Sequence, residues 1–198
     1  MSYYYDSQGN FILTYFRYNK TMKITLVTGN ENKLREWQAI MPASIELMSV
    51  DVDLTEIQSD NPEVIVADKL RRAYDHVGVP VIVEDVDAGL DKLNGLPGPF
   101  IKFFNEKLGK DALYKLAGDE GEPATVACTA GYYDGEKMII VRGEVRGTVV
   151  APRGDSFGFD IVFVPEGETL TYAEMSKEKK NSLSHRQKAI RMLVEKIS

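Results

Sequence analysis

The 198-residue sequence contains a single cysteine, Cys128, and one thiol cannot form an intramolecular disulfide. This scarcity excludes a disulfide-stapled fold and favours a reducing, cytoplasmic location. The sequence also lacks an apolar run of the roughly 20 residues that a membrane span requires. Its first residues show no secretory signal pattern. We therefore expect a soluble protein that has no membrane partner.

Positive charge is also in short supply, because 24 Lys and Arg stand against 30 Asp and Glu, a net charge of −6. Binding a nucleic-acid polymer requires a basic surface, so this composition argues against such a partner. The Cys and His clusters of zinc sites and the Gly-x-Ser-x-Gly turn of serine hydrolases are missing too. Phosphate binding would therefore rely on a few local cations.

The length suits one domain with a sizeable core, and no linker or internal repeat divides the chain. Residues 1–21 differ from the rest in being dense in Tyr and Phe, and Gln8, Gly9 and Asn10 could form the turn of a short hairpin. We expect residues 1–21 to be a dispensable extension and residues 22–198 to form a single domain.

Apolar strands alternate with amphipathic helices in the first half, which indicates the α/β class with parallel strand pairs. The β-rich second half, with Asp134 and Gly135 as a hairpin turn, adds antiparallel strands. The predicted strands cover residues 23–28, 79–85, 125–133 and 138–150. The predicted helices cover residues 34–41, 62–76, 110–117 and 184–198, and we expect a loop up to Asn181.

The turn after the first strand has the composition of an anion-binding site. Thr28, Gly29, Asn30 and Lys33 lie where a strand gives way to a helix, and the free N–H groups of a helix N-terminus bind anions. An ordinary strand-to-helix turn with a solvated lysine explains the same residues, because no Walker A pattern is present.

Carboxylates close the next predicted strand. Glu84 and Asp85 end the apolar run at residues 79–85, and the carboxyl ends of strands border the ligand crevice in α/β sheets. Together with Asp87 and Glu56 they could converge on a hard cation, and oxygen-only ligands of this kind suit Mg²⁺. A solvated acidic loop is an equal alternative on these residues alone.

The last predicted helix begins with an unusual charge pattern. Ser184 is its expected N-cap, and His185, Arg186 and Lys188 crowd the first turn, where each positive charge opposes the helix dipole at a cost of about 0.3–1 kcal/mol. An electron-rich ligand would offset that cost. We therefore interpret His185 and Arg186 as ligand-binding residues that Lys180 could join.

The segment Phe157, Gly158, Phe159 and Asp160 has two interpretations. Two aromatic residues beside a strand are usually core packing. A Phe ring is also a common platform for a nucleobase, with stacking worth about 1–3 kcal/mol in nucleic-acid binders, and Asp160 could accept from ring N–H groups.

In this order the motifs resemble the inosine triphosphate pyrophosphatase family, also called the Ham1 or RdgB-like family. Any one motif is weak, whereas the whole set in one order, spanning residues 24–197, is specific. The matching blocks are TGN with Lys33 at residues 28–33, LTEIQ at 54–58, ED at 84–85, GLPGPFIK at 95–102, APRG at 151–154, FGFD at 157–160, TYAEM at 171–175 and SHR at 184–186.

The resemblance implies an elongated two-lobed α/β fold with a mixed sheet, a substrate cleft between the lobes, and a Mg²⁺-dependent, cytosolic homodimer. It implies that Glu56 and Asp85 serve the metal and that Asp85, supported by Glu84, serves the attacking water. The residues implied to hold the triphosphate of a purine nucleotide are Thr28, Asn30, Lys33 and Lys69. The implied base site comprises Phe157, Asp160, Lys180, His185 and Arg186.

The implied reaction is hydrolysis of ITP, dITP or XTP to the monophosphate and pyrophosphate. Donors from His185 and Arg186 suit a 6-oxo group, whereas the amino group of adenine would leave buried donors unpaired. The chain departs from the family pattern at Val86 and Asp87, where a hydroxyl residue is common, and at Thr55, where Pro is frequent. A Maf-like pyrophosphatase with another base preference and a catalytically silent nucleotide-binding protein are the alternatives.

Overall fold

A computed structural model describes residues 2–5, 8, 11–14 and 21–197. The strands are β1 (Ser2–Tyr5), β2 (Phe11–Thr14), β3 (Met22–Val27), β4 (Ile45–Val50), β5 (Val81–Leu90), β6 (Pro97–Gly98), β7 (Glu122–Tyr133), β8 (Met138–Val149) and β9 (Phe163–Pro165). The helices are α1 (Glu31–Ile40), α2 (Pro62–Val77), α3 (Ile101–Leu108), α4 (Ala112–Ala117), α5 (Lys177–Leu183) and α6 (His185–Ile197), with 3-10 turns at Asp91–Leu93 and Gly158–Ile161.

The main sheet is mixed, with strand order β4-β3-β5-β7-β8-β9 and β6 paired to β5. β3 pairs in parallel with β4 and β5, as expected of strands joined through helices. The strands β5, β7, β8 and β9 pair antiparallel, so the expected α/β class with a mixed sheet is confirmed. β1 and β2 pair antiparallel in a separate two-stranded sheet, and Gly9 and Asn10 of the predicted turn between them lie outside the described residues. That residues 1–21 are dispensable stays a prediction.

Buried apolar side chains form separate hydrophobic cores at the two ends of the long strands, and these cores define the two lobes. In the first lobe, α2 covers one face of β3 and β5 through Val66 and Leu70, and α1 and α6 cover the other through Trp37 and Ile190. In the second lobe, α3 and α4 pack against the far ends of β5, β7 and β8. β5 and β7 run through both lobes, so they hold the two cores together.

The structure corrects the predicted end of β5. The strand does not stop at Asp85 but continues to Leu90, because β7 pairs with it along its whole length, from Val81 opposite Tyr133 to Leu90 opposite Ala124. On its other edge, β5 pairs with β3 only at Val81 and Ile82 and with β6 only at residues 88 and 89. Glu84 and Asp85 therefore lie in mid-strand, yet they still border an opening, because the neighbouring strands leave a gap beside them.

Two helices differ from the expectation. The predicted loop up to Asn181 is wrong, since α5 begins after Ser176, whose hydroxyl accepts from the Lys179 N–H at 3.2 Å. α3 was not anticipated, because Ile101–Leu108 follows a Pro-rich and Gly-rich segment that indicates a loop. The predicted cap of the last helix is confirmed, because the Gln187 N–H donates to Ser184 Oγ at 3.2 Å.

Gly143 lets α6 lie directly against the sheet. A Cβ at this position would sit 2.4 Å from the Ala189 nitrogen and 2.5 Å from the His185 carbonyl oxygen, and both are backbone atoms that cannot rotate away. The first turn of α6, which carries two of the predicted binding residues, is therefore held at a distance that only glycine permits.

We predict that Gly143→Ala lowers the free energy of unfolding by about 2–3 kcal/mol, because the added methyl group must push α6 away from β8. Denaturant unfolding measures the change. The control is Arg146→Ala, an exposed position on the same strand, for which we expect a change within about 0.5 kcal/mol. A Gly143→Ala protein as stable as its parent would show that α6 is not constrained at this contact.

Candidate active site

The gap beside β5 opens into a cleft of about 990 Å³ between the two lobes. It is the place where the predicted site residues meet, although they come from distant parts of the chain. The predicted residues that line it are Thr28, Gly29, Asn30, Lys33, Glu56, Lys69, Glu84, Asp85, Phe157, Gly158, Phe159, Asp160, His185 and Arg186. Lys180 does not line the cleft but contacts Asp160 from behind.

One end of the cleft is built by the turn between β3 and α1. Asn30 caps α1, since its Oδ1 accepts from the N–H groups of Asn32 at 2.9 Å and Lys33 at 3.3 Å. The Thr28 hydroxyl accepts from the Asn30 N–H at 3.2 Å. A Cβ at Gly29 would lie 2.5 Å from Asp51 Oδ1, so any larger residue here would make the exposed Asp51 side chain turn away. The cap therefore occupies the N–H groups of Asn32 and Lys33, so the attraction of this turn for an anion comes from the helix dipole and the charge of Lys33.

Lys69 and Glu56 form an ion pair at the same end of the cleft. Burial raises the pKa of Glu56, but the positive charges of Lys69, Lys102 and Lys33 together lower it by more. The net shift of this pKa is therefore downward. Lys102 lies in the first turn of α3 and lines the cleft, and we did not single it out from sequence. Its signal was present in the GLPGPFIK block, of which it is the only cation.

Asp85 stands out because it lacks partners. Its Oδ2 is buried and accepts no hydrogen bond. Burial raises the pKa of Asp85 to about 6, against the opposing effect of Lys33 and Lys69. A buried carboxylate oxygen without a donor is costly unless a ligand supplies one. Asp85 is therefore suited to receive a cation or a water molecule.

The donor set can be compared with what Mg²⁺ requires. Within the described part of the chain, no group of three or more Asp, Glu, His or Cys residues is arranged to hold a metal ion. Mg²⁺, however, is commonly bound by one or two carboxylates together with substrate phosphates. Asp85 and Glu56 line the same end of the cleft and interact electrostatically, so they fit a magnesium ion that the substrate helps to hold.

Asp87 does not join this group, contrary to our expectation. Its carboxylate binds the Arg142 guanidinium through two hydrogen bonds of 2.5 and 2.9 Å, and Arg142 also donates to Thr129 at 3.0 Å. Asp87 shares a face of β5 with Asp85, but it is absent from the cleft lining. The carboxylate that this chain gains at position 87 is therefore neutralised by a side chain from β8.

Glu84 is an anchor and has no oxygen free for water. It accepts from Trp37 Nε1 at 2.7 Å, from Arg186 Nε and Nη2 at 2.8 and 2.9 Å, and from Cys128 Sγ at 3.4 Å, and Lys33 Nζ lies 3.1 Å away. Burial raises its pKa, yet Arg186 and Lys33 hold that pKa well below the usual range. A carboxylate bonded in this way on both oxygens holds its neighbours in place, and the predicted support of Glu84 for the attacking water stays a prediction.

The other end of the cleft is aromatic. Phe157 and Phe159 line it, and Lys180 Nζ lies 4.8 Å from the centre of the Phe157 ring. Asp160 is tied down, since its Oδ2 accepts from Lys180 at 2.6 Å and from the Ser156 hydroxyl at 2.8 Å. The Phe157 ring therefore faces the cleft from the turn at residues 157–160, in which the charged residue, Asp160, is already paired with Lys180.

Glu36 is the residue whose importance we missed. It accepts from Lys180 at 2.8 Å and also from Arg186 Nη1, so it links α5 and α6 to α1. The only sequence signal was its position next to Trp37, which faces the core. Because Arg186 gives three of its N–H groups to Glu84 and Glu36, it has fewer donors for a ligand than the sequence suggested.

His185 is neutral in this environment. Burial lowers its pKa, and the neighbouring Arg186 and Lys180 lower it further, to well below the usual range. Both ring nitrogens are buried without partners, and the Phe159 ring lies 5.8 Å away. The first turn of α6 therefore carries less positive charge than we expected, because His185 is uncharged and Arg186 is paired with Glu84 and Glu36.

Unpaired polar atoms concentrate in the cleft. In the part of the chain that the structure describes, five buried side-chain nitrogen and oxygen atoms have no partner. Four of them belong to cleft residues, namely Asp85, Asn105 and His185, which contributes two. Folded proteins rarely leave buried polar atoms unpaired without a reason, and a ligand that completes them is such a reason.

The chain is similar to known proteins of one family. The sequence model of the Ham1 family matches residues 24–196. An inosine triphosphate pyrophosphatase of Pyricularia oryzae is 45% identical over 174 residues, covering 86% of this chain and 90% of the relative. A protein of the same name from Yarrowia lipolytica is 46% identical over 177 residues, covering 87% of this chain and 94% of the relative.

Solved structures show the same fold. A HAM1 protein from Coxiella burnetii superposes with a TM-score of 0.75 at 26% identity, covering 89% of this chain and 98% of the other. A protein from Mycobacterium abscessus described as a nucleoside-triphosphatase and dITP/XTP pyrophosphatase superposes with a TM-score of 0.67 at 27% identity, covering 87% of this chain and 98% of the other.

We predict that Asp85→Asn stabilises the protein at pH 8 when Mg²⁺ and nucleotide are left out. The folded pKa of Asp85 lies above that of the unfolded chain, so folding favours its protonated form. Ionisation of Asp85 lowers the free energy of unfolding by about 2–3 kcal/mol above pH 7, and this loss of stability disappears near pH 4. Asn is neutral throughout, so the gain should be about 2 kcal/mol at pH 8 and close to zero near pH 4.

Denaturant unfolding at both pH values measures this gain, with the exposed Asp119→Asn as the control that we expect to change little. A loss of stability at pH 8 in the Asp85 variant would contradict the argument, because it would mean that ionised Asp85 is net stabilising.

We predict that Arg186→Met lowers the free energy of unfolding by about 3–5 kcal/mol, because it leaves the carboxylates of Glu84 and Glu36 buried without their main counter-charge. The matched control is Arg35→Met, which removes an exposed ion pair with Glu31 in α1 and should cost no more than about 0.5 kcal/mol. Equal effects of the two substitutions in thermal or denaturant unfolding would rule out a special role for the buried pair.

Proposed function

The chain belongs to the Ham1 family, and from that premise we propose that it hydrolyses ITP, dITP and XTP to the nucleoside monophosphate and pyrophosphate. One observation carries the proposal: a single cleft has a cationic end with Lys33 and Lys69 and an aromatic end with Phe157 and His185. A purine nucleoside triphosphate has the same division between its phosphates and its base.

The phosphate end can hold a triphosphate with groups that are already in place. The N-terminus of α1 supplies the positive end of the helix dipole, and Lys33, Lys69 and Lys102 supply positive charge. Lys69 pairs with Glu56 in this structure, and binding would let Lys69 turn to a phosphate oxygen while Glu56 turns to the metal. Neutralising phosphate charge in this way accounts for most of the catalysis in phosphoryl transfer.

Asp85 and Glu56 are the residues that would hold Mg²⁺, which when bound neutralises phosphate charge and makes a coordinated water more acidic. Asp85 has a free oxygen that can accept a hydrogen bond from the attacking water. With a pKa of about 6, it is ionised at neutral pH and basic enough to take the proton. The water oxygen bonds to the α-phosphorus while the bond to the bridging oxygen breaks, and pyrophosphate leaves with that electron pair.

Base selection can be derived from the donors at the other end. His185 alone does not select, because a neutral imidazole can donate from one nitrogen and accept at the other. Arg186 can only donate, so its remaining N–H groups favour the 6-oxo group of hypoxanthine and xanthine over the amino group of adenine. ATP is therefore disfavoured, whereas GTP carries the same 6-oxo group and must be excluded at the 2-position.

Two observations favour this reading over the alternatives. A silent binding protein has no use for a buried, partnerless carboxylate at Asp85, whereas a hydrolase does. The unusual Asp87, which prompted that alternative, is paired with Arg142 and does not line the cleft, so Asp85 and Glu56 are still available to a metal ion. A Maf-like base preference is less consistent with Arg186 and His185 at the base end.

We also propose a homodimer and a cytoplasmic location, both on the strength of the family resemblance. Among residues 2–5, 8, 11–14 and 21–197, no helix is long and apolar enough to cross a membrane.

The proposal is tested by pyrophosphate release from ITP, dITP, XTP, GTP and ATP, with and without Mg²⁺. We expect turnover of the first three far above GTP and ATP, and only with Mg²⁺. Asp85→Asn should lower kcat by at least about 100-fold because it removes the general base. Asp119→Asn, an exposed carboxylate, should leave kcat unchanged.

Absence of turnover for all five nucleotides, with ITP still bound, would sink the enzyme proposal and leave a nucleotide-binding protein. Strong turnover of a different nucleotide, lost in Asp85→Asn, would keep the mechanism and replace the substrate class.

A further inference from the structure

α3 runs along one wall of the cleft from its phosphate end to its base end. Lys102, in the first turn, acts electrostatically on Glu56 at the phosphate end. Asn105 follows one turn later, and its Nδ2 lies 3.8 Å from where a Cβ on Gly158 would stand. Because residues three apart share a helix face, Lys102 and Asn105 both line the cleft, and Asn105 lies beside the aromatic turn.

The Asn105 side chain has an unmet hydrogen bond. Its Oδ1 is buried and has no partner in the described part of the chain. Asp85 and His185, the other cleft residues with partnerless buried atoms, already have functions in the proposed reaction. Asn105 is therefore the one cleft residue with an orphaned polar atom that the proposed function leaves unexplained.

The base needs such a group. Asp160, which we expected to accept from ring N–H groups, has its Oδ2 taken by Lys180 and Ser156, so only its Oδ1 is left to accept. A carboxylate cannot donate, whereas the edge of the base carries an N–H donor next to a C=O acceptor. A carboxamide beside Phe157 offers both an acceptor and a donor to that edge.

Building on the proposed function, we propose that Asn105 is a substrate-binding residue whose carboxamide hydrogen-bonds the purine ring. Its acceptor and donor lie side by side and match an N–H next to a C=O, which is the arrangement at the 1- and 6-positions of hypoxanthine and xanthine. Rotation of the carboxamide exchanges the two groups, so Asn105 also tolerates adenine. It contributes affinity for the base, and selectivity comes from Arg186.

The test is Asn105→Leu, which keeps the size and removes both hydrogen-bonding groups, with Lys107→Leu on the exposed side of α3 as the control. We expect the Kd of IMP, measured by calorimetry, to rise about fivefold to tenfold in the Asn105 variant. Inorganic pyrophosphate, which occupies only the phosphate end, should bind both variants and the parent protein equally. KM for ITP and dITP should rise by the same factor as the IMP Kd, with kcat unchanged.

The melting temperature separates a binding role from a structural one. Replacing an unsatisfied buried amide by an apolar group is neutral or stabilising, so Asn105→Leu should melt no lower than the parent protein. Unchanged IMP binding would overturn the proposal, as would weakened pyrophosphate binding together with a lower melting temperature. An effect on ITP but not on dITP would move the contact to the ribose 2′-hydroxyl and overturn the base assignment.

Failure of the proposed function would be distinguishable. If the parent protein binds IMP but hydrolyses no triphosphate, the IMP and pyrophosphate measurements still decide the role of Asn105. If the parent hydrolyses ITP and Asn105→Leu behaves like it in every measurement, the function stands and this inference fails.

Discussion

The buried ion pair between Arg186 and Glu84 is the interaction on which the rest of the site depends. Both side chains are only 2% exposed, and moving unpaired charges out of water costs far more than one ion pair returns. The pair is stabilised because each neighbouring charge has the opposite sign. Lys33 contacts Glu84, and Glu36 contacts Arg186. Lys180 in turn lies between Glu36 and Asp160. This chain of charges ties α1, α5, α6, β5 and the turn at residues 158–161 into one unit.

That unit divides the polar residues of the cleft into two kinds. Glu84 and Glu36 accept from protein donors on both carboxylate oxygens, and Asp160 accepts from two donors on Oδ2, so these three side chains are fixed in place. Asp85 and His185 keep buried atoms without partners, and in both cases burial shifts the pKa toward the neutral form. A site prepared in this way needs little reorganisation when charge or donors arrive with a ligand. The unpaired polar atoms lower the free energy of unfolding of the protein without a ligand.

Backbone constraints give the cleft its position. β3 and β6 leave the edge of β5 unpaired between Ile82 and Ala88, and Gly143 lets α6 approach the sheet closely enough to reach Glu84. The unpaired edge of β5 leaves Asp85 facing the cleft. The close approach of α6 at Gly143 places His185 and Arg186 in the cleft lining. Neither is visible in the motifs themselves.

Local pattern in the sequence determined the α/β class, most helices and strands, the cap at Ser184, and, through the order of the motifs, most of the predicted residues that line the cleft. These depend on periodicity, on capping chemistry and on the order of the motifs, and all of them are written within short stretches of chain. Tertiary structure alone decided which charges are paired, since Glu84 lies 102 residues from Arg186 and Asp87 lies 55 from Arg142. The state of a carboxylate depends on the donors that folding brings to it, so Asp85 keeps a buried oxygen without a donor while Glu84 and Asp87 are paired with arginines.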